Sequence, residues 1–571
     1  MSNLNVDSIK QRTYDAIVIG SGISGGWAAK ELTEKGLRTL LLERGRDVKH
    51  NQDYPTTNMF PYEFKHRGEV PLEIREKAPI VSRCYAFRED AMHFFVKDYE
   101  QPYEQEKPFD WIRGYQVGGK SLLWARQTQR WSDFDFEGPA RDGFAVDWPI
   151  RYKDLAPWYS HVEKFAGIAG FKDGLPALPD GEFLPGYPLN CVEDHFKKQL
   201  SNKYGDRHVI SARCAHISKP EQIHFDQGRG QCMNRVLCQR GCPFGGYFSS
   251  NSSTIPWAQR TGNLTLKPYS VVHSVLYDEK AGKASGVLVI DANTKEEITY
   301  YADIIFVNAS AINTNQILLN SISSRFPEGL GNDNGLLGKY IAFHNYRARV
   351  TAEYDGFMEL TTDGRNPAGG GYVPRFRNLL RQETDFLRGY AASFNANRYL
   401  YEDRSGFGAD LKERLLNPSL STWKIGSHMM GETIPKESSQ ISLVKDKVDE
   451  WGIPLVNINV DYDENDEKMI KDYQEQFSEM FAQAGFTNIQ VADTKQAPGL
   501  DIHEMGGVRM GRDPKTSLLN KYNQMHACKN VFVTDGACMT STATQNPSLT
   551  YMALAARAVD YAVKERNKGN L

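Results

Sequence analysis

Asp15-Ala16-Ile17-Val18-Ile19-Gly20-Ser21-Gly22-Ile23-Ser24-Gly25 is the stretch that decides the fold. An apolar run ends in Gly20-x-Gly22-x-x-Gly25, after which Trp27, Ala28 and Leu32 recur at helical spacing. A second run, Thr39-Leu40-Leu41-Leu42, ends at Glu43, and Lys35-Gly36 closes the helix between them. The pattern reads strand, tight turn, helix, strand. Such a βαβ unit belongs to an α/β protein with a parallel sheet covered by helices. Glycines at this spacing permit a tight turn, close approach of backbone N–H groups to a pyrophosphate, and close packing of helix on strand, while the helix N-terminus favours the anion. Glu43 is then placed to accept hydrogen bonds from an adenosine ribose. The motif by itself does not distinguish a flavin from a nicotinamide dinucleotide.

Outward from this unit, 571 residues correspond to roughly four domains of ~150 residues, or to two large interleaved ones. Hydrophobic residues at 40% and charged residues at 24% exclude wholesale disorder. The net charge of −3 supplies no positive field to draw nucleic acid or an anionic membrane, and suits a small neutral substrate. No segment approaches the ~18 uninterrupted apolar residues of a membrane span. The opening Met1-Ser2-Asn3-Leu4 stretch lacks a basic region followed by an apolar one, so the chain is expected to carry no export signal of its own. Residues 50–105 read as loops and short elements over a ligand region. Strand-like runs over 264–308 extend the first sheet, and alternating segments within 345–460, among them Tyr346–Val350 and Leu455–Val460, predict a separate, largely antiparallel sheet. Helical periodicity covers 465–484, and the chain ends in a strand at Val531–Val533, a glycine turn and a helix from Tyr551 to Val563.

Two later segments join the fingerprint. Arg113-Gly114-Tyr115-Gln116-Val117-Gly118-Gly119-Lys120-Ser121-Leu122-Leu123-Trp124 follows the βαβ unit, and Val533-Thr534-Asp535-Gly536-Ala537 precedes Gln545-Asn546-Pro547-Ser548. In this order the three resemble the glucose–methanol–choline (GMC) family of flavin oxidoreductases, from about residue 13 to residue 563. The resemblance implies a Rossmann-like FAD-binding domain (1–48, 108–135, 190–342 and 498–571) interleaved with a substrate-binding domain on a largely antiparallel sheet (49–107, 136–189 and 343–497). It implies that Gly20, Gly22, Gly25 and Glu43 bind the cofactor together with Gly118, Gly119 and Ser121 against the flavin. Val272 is implied as a backbone contact to adenine, and Asp535 with Ala537 as neighbours of the pyrophosphate and ribityl chain. Some relatives carry a flavin-bonded histidine before the tryptophan of the second segment. Leu123 stands there in this chain, so FAD is expected to be non-covalent.

Oxidising an alcohol by hydride transfer requires a base for the hydroxyl proton, and histidine, with an ordinary pKa near ~6.5, suits the task. Among thirteen histidines, His503 in Asp501-Ile502-His503-Glu504-Met505-Gly506-Gly507 resembles the family's catalytic segment. Asn546 falls where relatives have a second histidine or an asparagine. Neutral His503 is expected to accept the proton while the Asn546 amide donates to the substrate oxygen. His344 resembles a recurrent family position to which no chemistry is assigned.

Eight cysteines are too few for a disulfide scaffold. Three of them, Cys232, Cys238 and Cys242, lie within eleven residues in a C-x5-C-x3-C-P pattern. This resembles the iron–sulfur segment of some bacterial FAD sugar dehydrogenases of the family, which implies a [3Fe-4S] cluster. A zinc site recruiting Cys214, His216 or His224, and plain buried thiols, remain open beside it. Cys84, Cys191, Cys528 and Cys538 are expected to be structural.

Gly245-Gly246-Tyr247-Phe248-Ser249-Ser250-Asn251-Ser252 and the 503–554 region resemble the glucoside 3-dehydrogenase branch. The leading expectation is therefore oxidation of a secondary hydroxyl of a sugar or glycoside, C3 foremost, to a ketone. The competing readings are an oxygen-using oxidase, a lyase that keeps FAD without redox chemistry, and a nucleotide-binding scaffold. A dehydrogenase of this branch implies a small subunit and a cytochrome as electron acceptor, and either a cytoplasmic location or folded export to the periplasm with a partner.

Overall fold

The computed structural model describes residues 13–361, 366–401, 406–417 and 419–571. The opening twelve residues, on which the export expectation rests, lie outside the described residues. Strand Thr13–Ile19 is flanked in parallel by Thr39–Leu42 and by Glu297–Val307, and Leu264–Lys267 extends the sheet beyond Thr39–Leu42. The long strand Glu297–Val307 has two partners on its other edge. Its first half pairs antiparallel with Lys283–Asp291, which in turn pairs with Ser270–Asp278, and its second half pairs parallel with Val531–Phe532.

The first strand is buried on both faces, as a central parallel strand must be. Ile17 and Ile19 enter one core. Ala16 and Val18 enter another with Ala28, Ala29 and Leu32 of helix Ile23–Glu34 and with Ala558, Val559 and Ala562 of the C-terminal helix Ser548–Asn567. The carboxyl end of the chain is thereby folded back on the amino end.

The second sheet runs Thr487–Asp493, Ala348–Tyr354, Trp423–Glu432, Tyr390–Asn397, Gly371–Val373, Ile210–Ser211, antiparallel throughout. One face, carrying Ala348, Val350, Ala392, Phe394, Ile425 and Met429, packs on helix Glu464–Gln483 through Met469, Tyr473, Phe477 and Phe481. That helix is started by Asp463, whose side chain accepts from the N–H groups of Asn465 and Asp466.

The packing departs from the expected organisation in three places. Leu455–Val460 is not part of the second sheet: Pro454–Asn459 pairs with Gln440–Val448 and with Glu104–Gln105 in a three-stranded sheet of its own. Within 190–342, helix Cys191–Lys203 and strand Ile210–Ser211 belong with the second sheet, because Val192, Phe196 and Leu200 form an apolar stripe that enters its core. Within 136–189, helix Tyr152–Ala166 joins the nucleotide side through Leu155, Tyr159 and Val162, with the Tyr159 hydroxyl 2.8 Å from Thr550 Oγ1. Residues 50–105 form turns, the short helix Leu72–Lys77, three single-turn helices and the two-residue strand Glu104–Gln105, in line with the expected loops and short elements.

Candidate functional site

One cavity of about 510 Å³ runs from the glycine turn to the cysteine segment. At its first end the three glycines do different work. Gly20 has φ +93, and a side chain there would lie 2.4 Å from the Asn308 carbonyl oxygen. A Cβ on Gly25 would sit 1.8 Å from the Gly20 carbonyl oxygen, so the helix can lie this close to the turn only without one. Gly22 faces open space, at the start of a helix with no side-chain cap, where backbone N–H groups are free for an anion. Gly118 and Gly119 both have positive φ, and they lie over this turn: Gly118 N–H donates to Ser21 Oγ at 3.0 Å. The Ser121 hydroxyl donates to Gly118 O and accepts from Ser250 N–H at 2.9 Å. Gly22, Gly119, Ser121, Glu43, Val272 and Asp535 line the cavity.

Three of the expected cofactor residues are engaged in ways the sequence did not reveal. The Glu43 carboxylate holds the turn itself, accepting from Ser21 Oγ at 2.6 Å, from Ser21 N–H at 3.2 Å and from Gly45 N–H at 3.0 Å. Asp535 accepts from Ala537 N–H at 3.0 Å and from the Thr314 hydroxyl at 2.6 Å, and burial pushes its carboxyl up to about 6. Ala537 does not line the cavity. It is fully buried, with its N–H on Asp535 and its carbonyl accepting from Val508 N–H, and Gly536 stands at the wall instead.

His503 and Asn546 meet at the cavity wall although 43 residues separate them, with Asn546 Nδ2 3.3 Å from His503 Nε2. Ile502, a β-branched residue held at φ +65, turns the chain immediately before His503. Behind His503 stands His344, the two Nδ1 atoms 2.9 Å apart. The proton positions follow from the partners. His344 Nε2 faces only the carbonyl oxygens of Thr542 and Ala543, at 3.2 and 3.0 Å, so it carries the hydrogen. Neutral His344 therefore accepts at Nδ1, and His503 must donate from its Nδ1. The His503 Nε2 lone pair is left facing the cavity and the Asn546 amide, which is the tautomer a base needs.

Electrostatics hold this chain neutral. Burial, His344 and Lys120 put the His503 imidazolium well below the usual histidine range, and burial brings His344 down to about 4. Asp501, 4.0 Å from His503 Nδ1, accepts from His344 N–H at 2.9 Å, and burial pushes its carboxyl up to about 7. Its second oxygen is buried without a partner. Lys120 pairs with Glu504 at 3.2 Å, which gives Glu504 a structural role.

Part of the cavity lining comes from the second sheet, and it was missed by sequence reasoning. Because side chains alternate, the face turned away from helix Glu464–Gln483 carries Ser393, paired in register with His428, and then Asn395 and Met430. All four line the cavity with Tyr346, whose ring lies 5.0 Å from His428. Burial and Arg349 bring His428 down to about 3, so this wall offers neutral hydrogen-bonding groups and an aromatic face. Alternation within 345–460 was read as a sheet, but neither strand Tyr390–Asn397 nor strand Trp423–Glu432 was singled out, nor the face that meets the cavity.

At the far end Cys232 and Cys238 line the cavity with Arg126 and His216, and Cys242 Sγ accepts from Gly246 N–H at 3.3 Å. All three thiols are free and partly exposed. Zinc would draw its thiolates together at ~2.3 Å from one ion. Among the described residues the grouping tight enough for a single ion is His344, Asp501 and His503, not the cysteines with Cys214, His216 or His224. Among the described residues no helix is long and apolar enough to cross a membrane.

The chain matches the GMC oxidoreductase N-terminal profile over residues 14–344 and the C-terminal profile over residues 435–555. It is 28% identical to 2-methyl-1,2-propanediol dehydrogenase of Mycolicibacterium austroafricanum, covering 96% of this chain and 94% of the relative. It is 25% identical to the fructose dehydrogenase large subunit of Gluconobacter japonicus, covering 97% and 98%. A solved formate oxidase from Aspergillus oryzae superposes with a TM-score of 0.63 at 12% identity, over 98% of this chain and all of that one. A glycine turn at the amino end and a histidine–asparagine pair at the carboxyl end thus share one cavity in a chain that belongs to the GMC oxidoreductase family, the FAD-dependent enzymes that oxidise CH–OH groups.

Proposed function

We propose that this protein oxidises a secondary hydroxyl of a sugar or glycoside, at C3 foremost, to a ketone, and passes the electrons to a partner rather than to oxygen. The observation behind this reading is the make-up of the cavity lining: Ser393, Asn395 and His428, neutral hydrogen-bonding groups with the Tyr346 ring beside His428, share one cavity with His503 and Asn546. Such a wall matches a polyhydroxylated ring, whose hydroxyls need partners when desolvated and whose apolar face stacks on an aromatic. The name of one relative, a fructose dehydrogenase large subunit, supports a sugar substrate, and the resemblance of Gly245–Ser252 to glucoside 3-dehydrogenases supports C3.

In this reading the substrate hydroxyl takes a place within hydrogen-bond reach of both His503 Nε2 and Asn546 Nδ2, displacing their mutual contact. The hydroxyl proton passes to His503 Nε2, whose Nδ1–H stays on His344, and the Asn546 amide donates to the oxygen as charge gathers there. Asp501 supplies the countercharge to the imidazolium. FAD, when bound, supplies the acceptor for the hydride released from the carbinol carbon as the C=O bond forms. The glycine turn holds it, and Leu123, an apolar residue at the wall, offers no nucleophile for a covalent bond.

Cys232, Cys238 and Cys242 suit a [3Fe-4S] cluster because three thiolates spread wider than one ion allows are the donor set such a cluster takes. A cluster there would supply one-electron transfer toward a small subunit and a cytochrome. The test is anaerobic mixing of the holoenzyme with a panel of glycosides, 1,2-diols and primary alcohols, reading flavin bleaching and trapping the carbonyl product. A keto sugar and slow reoxidation in air are expected. Bleaching by primary alcohols alone, with aldehyde products, would refute the substrate reading, and rapid reoxidation with hydrogen peroxide would refute the dehydrogenase.

A further inference from the structure

Some buried guanidinium groups in this fold, Arg113, Arg509 and Arg557, rest on carbonyls and aromatic rings; others are matched by carboxylates: Arg130 with Glu163, Arg213 with Asp173 and Asp180, Arg388 with Asp142 and Glu432. Two beside the cysteine segment are not. Arg229 is 1% exposed. Its Nε donates to Gly245 O at 2.9 Å, its Nη1 to Ala166 O at 2.9 Å and to Gln227 Oε1 at 3.1 Å, and its Nη2 is buried with no partner. The thiol loop is pressed against it. A Cβ on Gly245 would lie 2.8 Å from Arg229 Cγ, and the next N–H, that of Gly246, points at Cys242 Sγ. The charge that opposes its burial is that of the Cys242 thiol.

Arg126, 3% exposed, lies on the other side, in the cavity wall with Cys232 and Cys238. Its Nη1 donates to Trp124 O, its Nε lies 3.4 Å from His216 Nε2, and its guanidinium carbon is 4.6 Å from the Tyr247 ring centre. Its strongest charge partner is Cys238. Two permanent cations are therefore buried around three thiols with no carboxylate ion pair of their own among the described residues. A buried unpaired cation is strongly destabilising, and guanidinium does not shed its proton in proteins. The three thiols are the source of negative charge that stands beside both.

We infer that Arg126 and Arg229 are the countercharges of an anionic cluster held by the thiolates of Cys232, Cys238 and Cys242, and that they raise its reduction potential. The inference rests on the cluster reading given above. Reduction adds negative charge to the cluster, so a nearby fixed cation favours the reduced form and pulls the potential upward. Arg229, outside the cavity, acts on the cluster without touching substrate.

The test is anaerobic purification of the holoenzyme and of Arg229→Met, Arg126→Met and the matching lysine variants. Iron and acid-labile sulfide are assayed, followed by a redox titration read by electron paramagnetic resonance. The wild type is expected to carry iron with an oxidised-state signal. Each methionine variant should shift the cluster midpoint to lower potential with the flavin spectrum unchanged, and each lysine variant, which keeps the charge, should stay near the wild-type value. A cluster whose potential is unmoved in both methionine variants overturns the inference and leaves the cluster itself standing. So does a lysine variant that falls as far as its methionine counterpart, or an Arg126→Met whose one effect is a raised KM for substrate. If a methionine variant loses its iron, the lysine comparison decides. Wild-type holoenzyme without iron or sulfide would refute the cluster, and the inference with it.

Discussion

The two ends of the cavity solve the burial of polar groups in opposite ways. Around His503 the hydrogen bonds themselves run between neutral groups, from the Thr542 and Ala543 carbonyls through His344 and His503 to Asn546, with Asp501 as the ionisable neighbour 4.0 Å away. Around the cysteines two guanidinium groups lack carboxylates, and an Nη2 has no acceptor. Both ends hold a β-branched residue at positive φ, Ile502 in one and Val236 in the other, so each loop is fixed at some cost in backbone energy. The His503 end thus carries its hydrogen-bond chain within the polypeptide, whereas at the thiol end two buried cations stand beside three thiols with no carboxylate between them.

The comparison is broken most thoroughly by removing what both ends share. Gly25→Ala would push a Cβ to 1.8 Å from the Gly20 carbonyl oxygen. Opening the turn is expected to cost about 3 kcal/mol, at the upper end of typical overpacking. Flavin should be lost on gel filtration and the melting temperature should fall; retention of full yellow absorbance would show that the turn does not hold the cofactor. At the catalytic end alone, Asn546→Ala removes the amide donor and is expected to lower kcat by ~10²-fold with flavin retained, in line with loss of one preorganised donor. A change confined to KM would place Asn546 in binding instead.

The smallest effect concerns pH and sharpens the claim that the catalytic end is neutral. His503 ionises well below the ordinary histidine range, so the base is already free at pH 6 and its own titration leaves activity flat there. Asp501, pushed up to about 7, gains its charge as pH rises through neutrality and then favours the imidazolium formed in the reaction. kcat/KM should therefore rise with pH across this range, by roughly tenfold for ~1.4 kcal/mol of stabilisation. Asp501→Asn should abolish the rise while leaving the low-pH activity in place. An unchanged profile in Asp501→Asn would assign the rise to another group.

Much of this was legible in the sequence where local rules and chemistry coincide. The Gly20–Gly25 turn and the strands over 264–308 are read from period and glycine spacing alone, and the meeting of His503 and Asn546 was expected from their motif context. What stayed hidden was set by tertiary choice. Strand alternation assigns Ser393 and His428 to one face of their strands but says nothing about which face meets the base. Leu455–Val460 has the alternation of any strand, and its partner, Gln440–Val448 rather than the second sheet, is fixed by packing. His344 gained a role only through the distance of its Nδ1 from that of His503. Glu43 spends its carboxylate on Ser21 and Gly45 because the turn needs an acceptor as much as a ribose would.

The account stands or falls on His503 acting as base beside the cofactor. The direct measurement is the rate of anaerobic flavin reduction by a glycoside, followed by rapid mixing, in wild type and in His503→Ala carrying the same amount of FAD. The account predicts a fall of ~10²–10⁴-fold in the limiting rate, the range for loss of a positioned general base. Reduction of His503→Ala at the wild-type rate would contradict it.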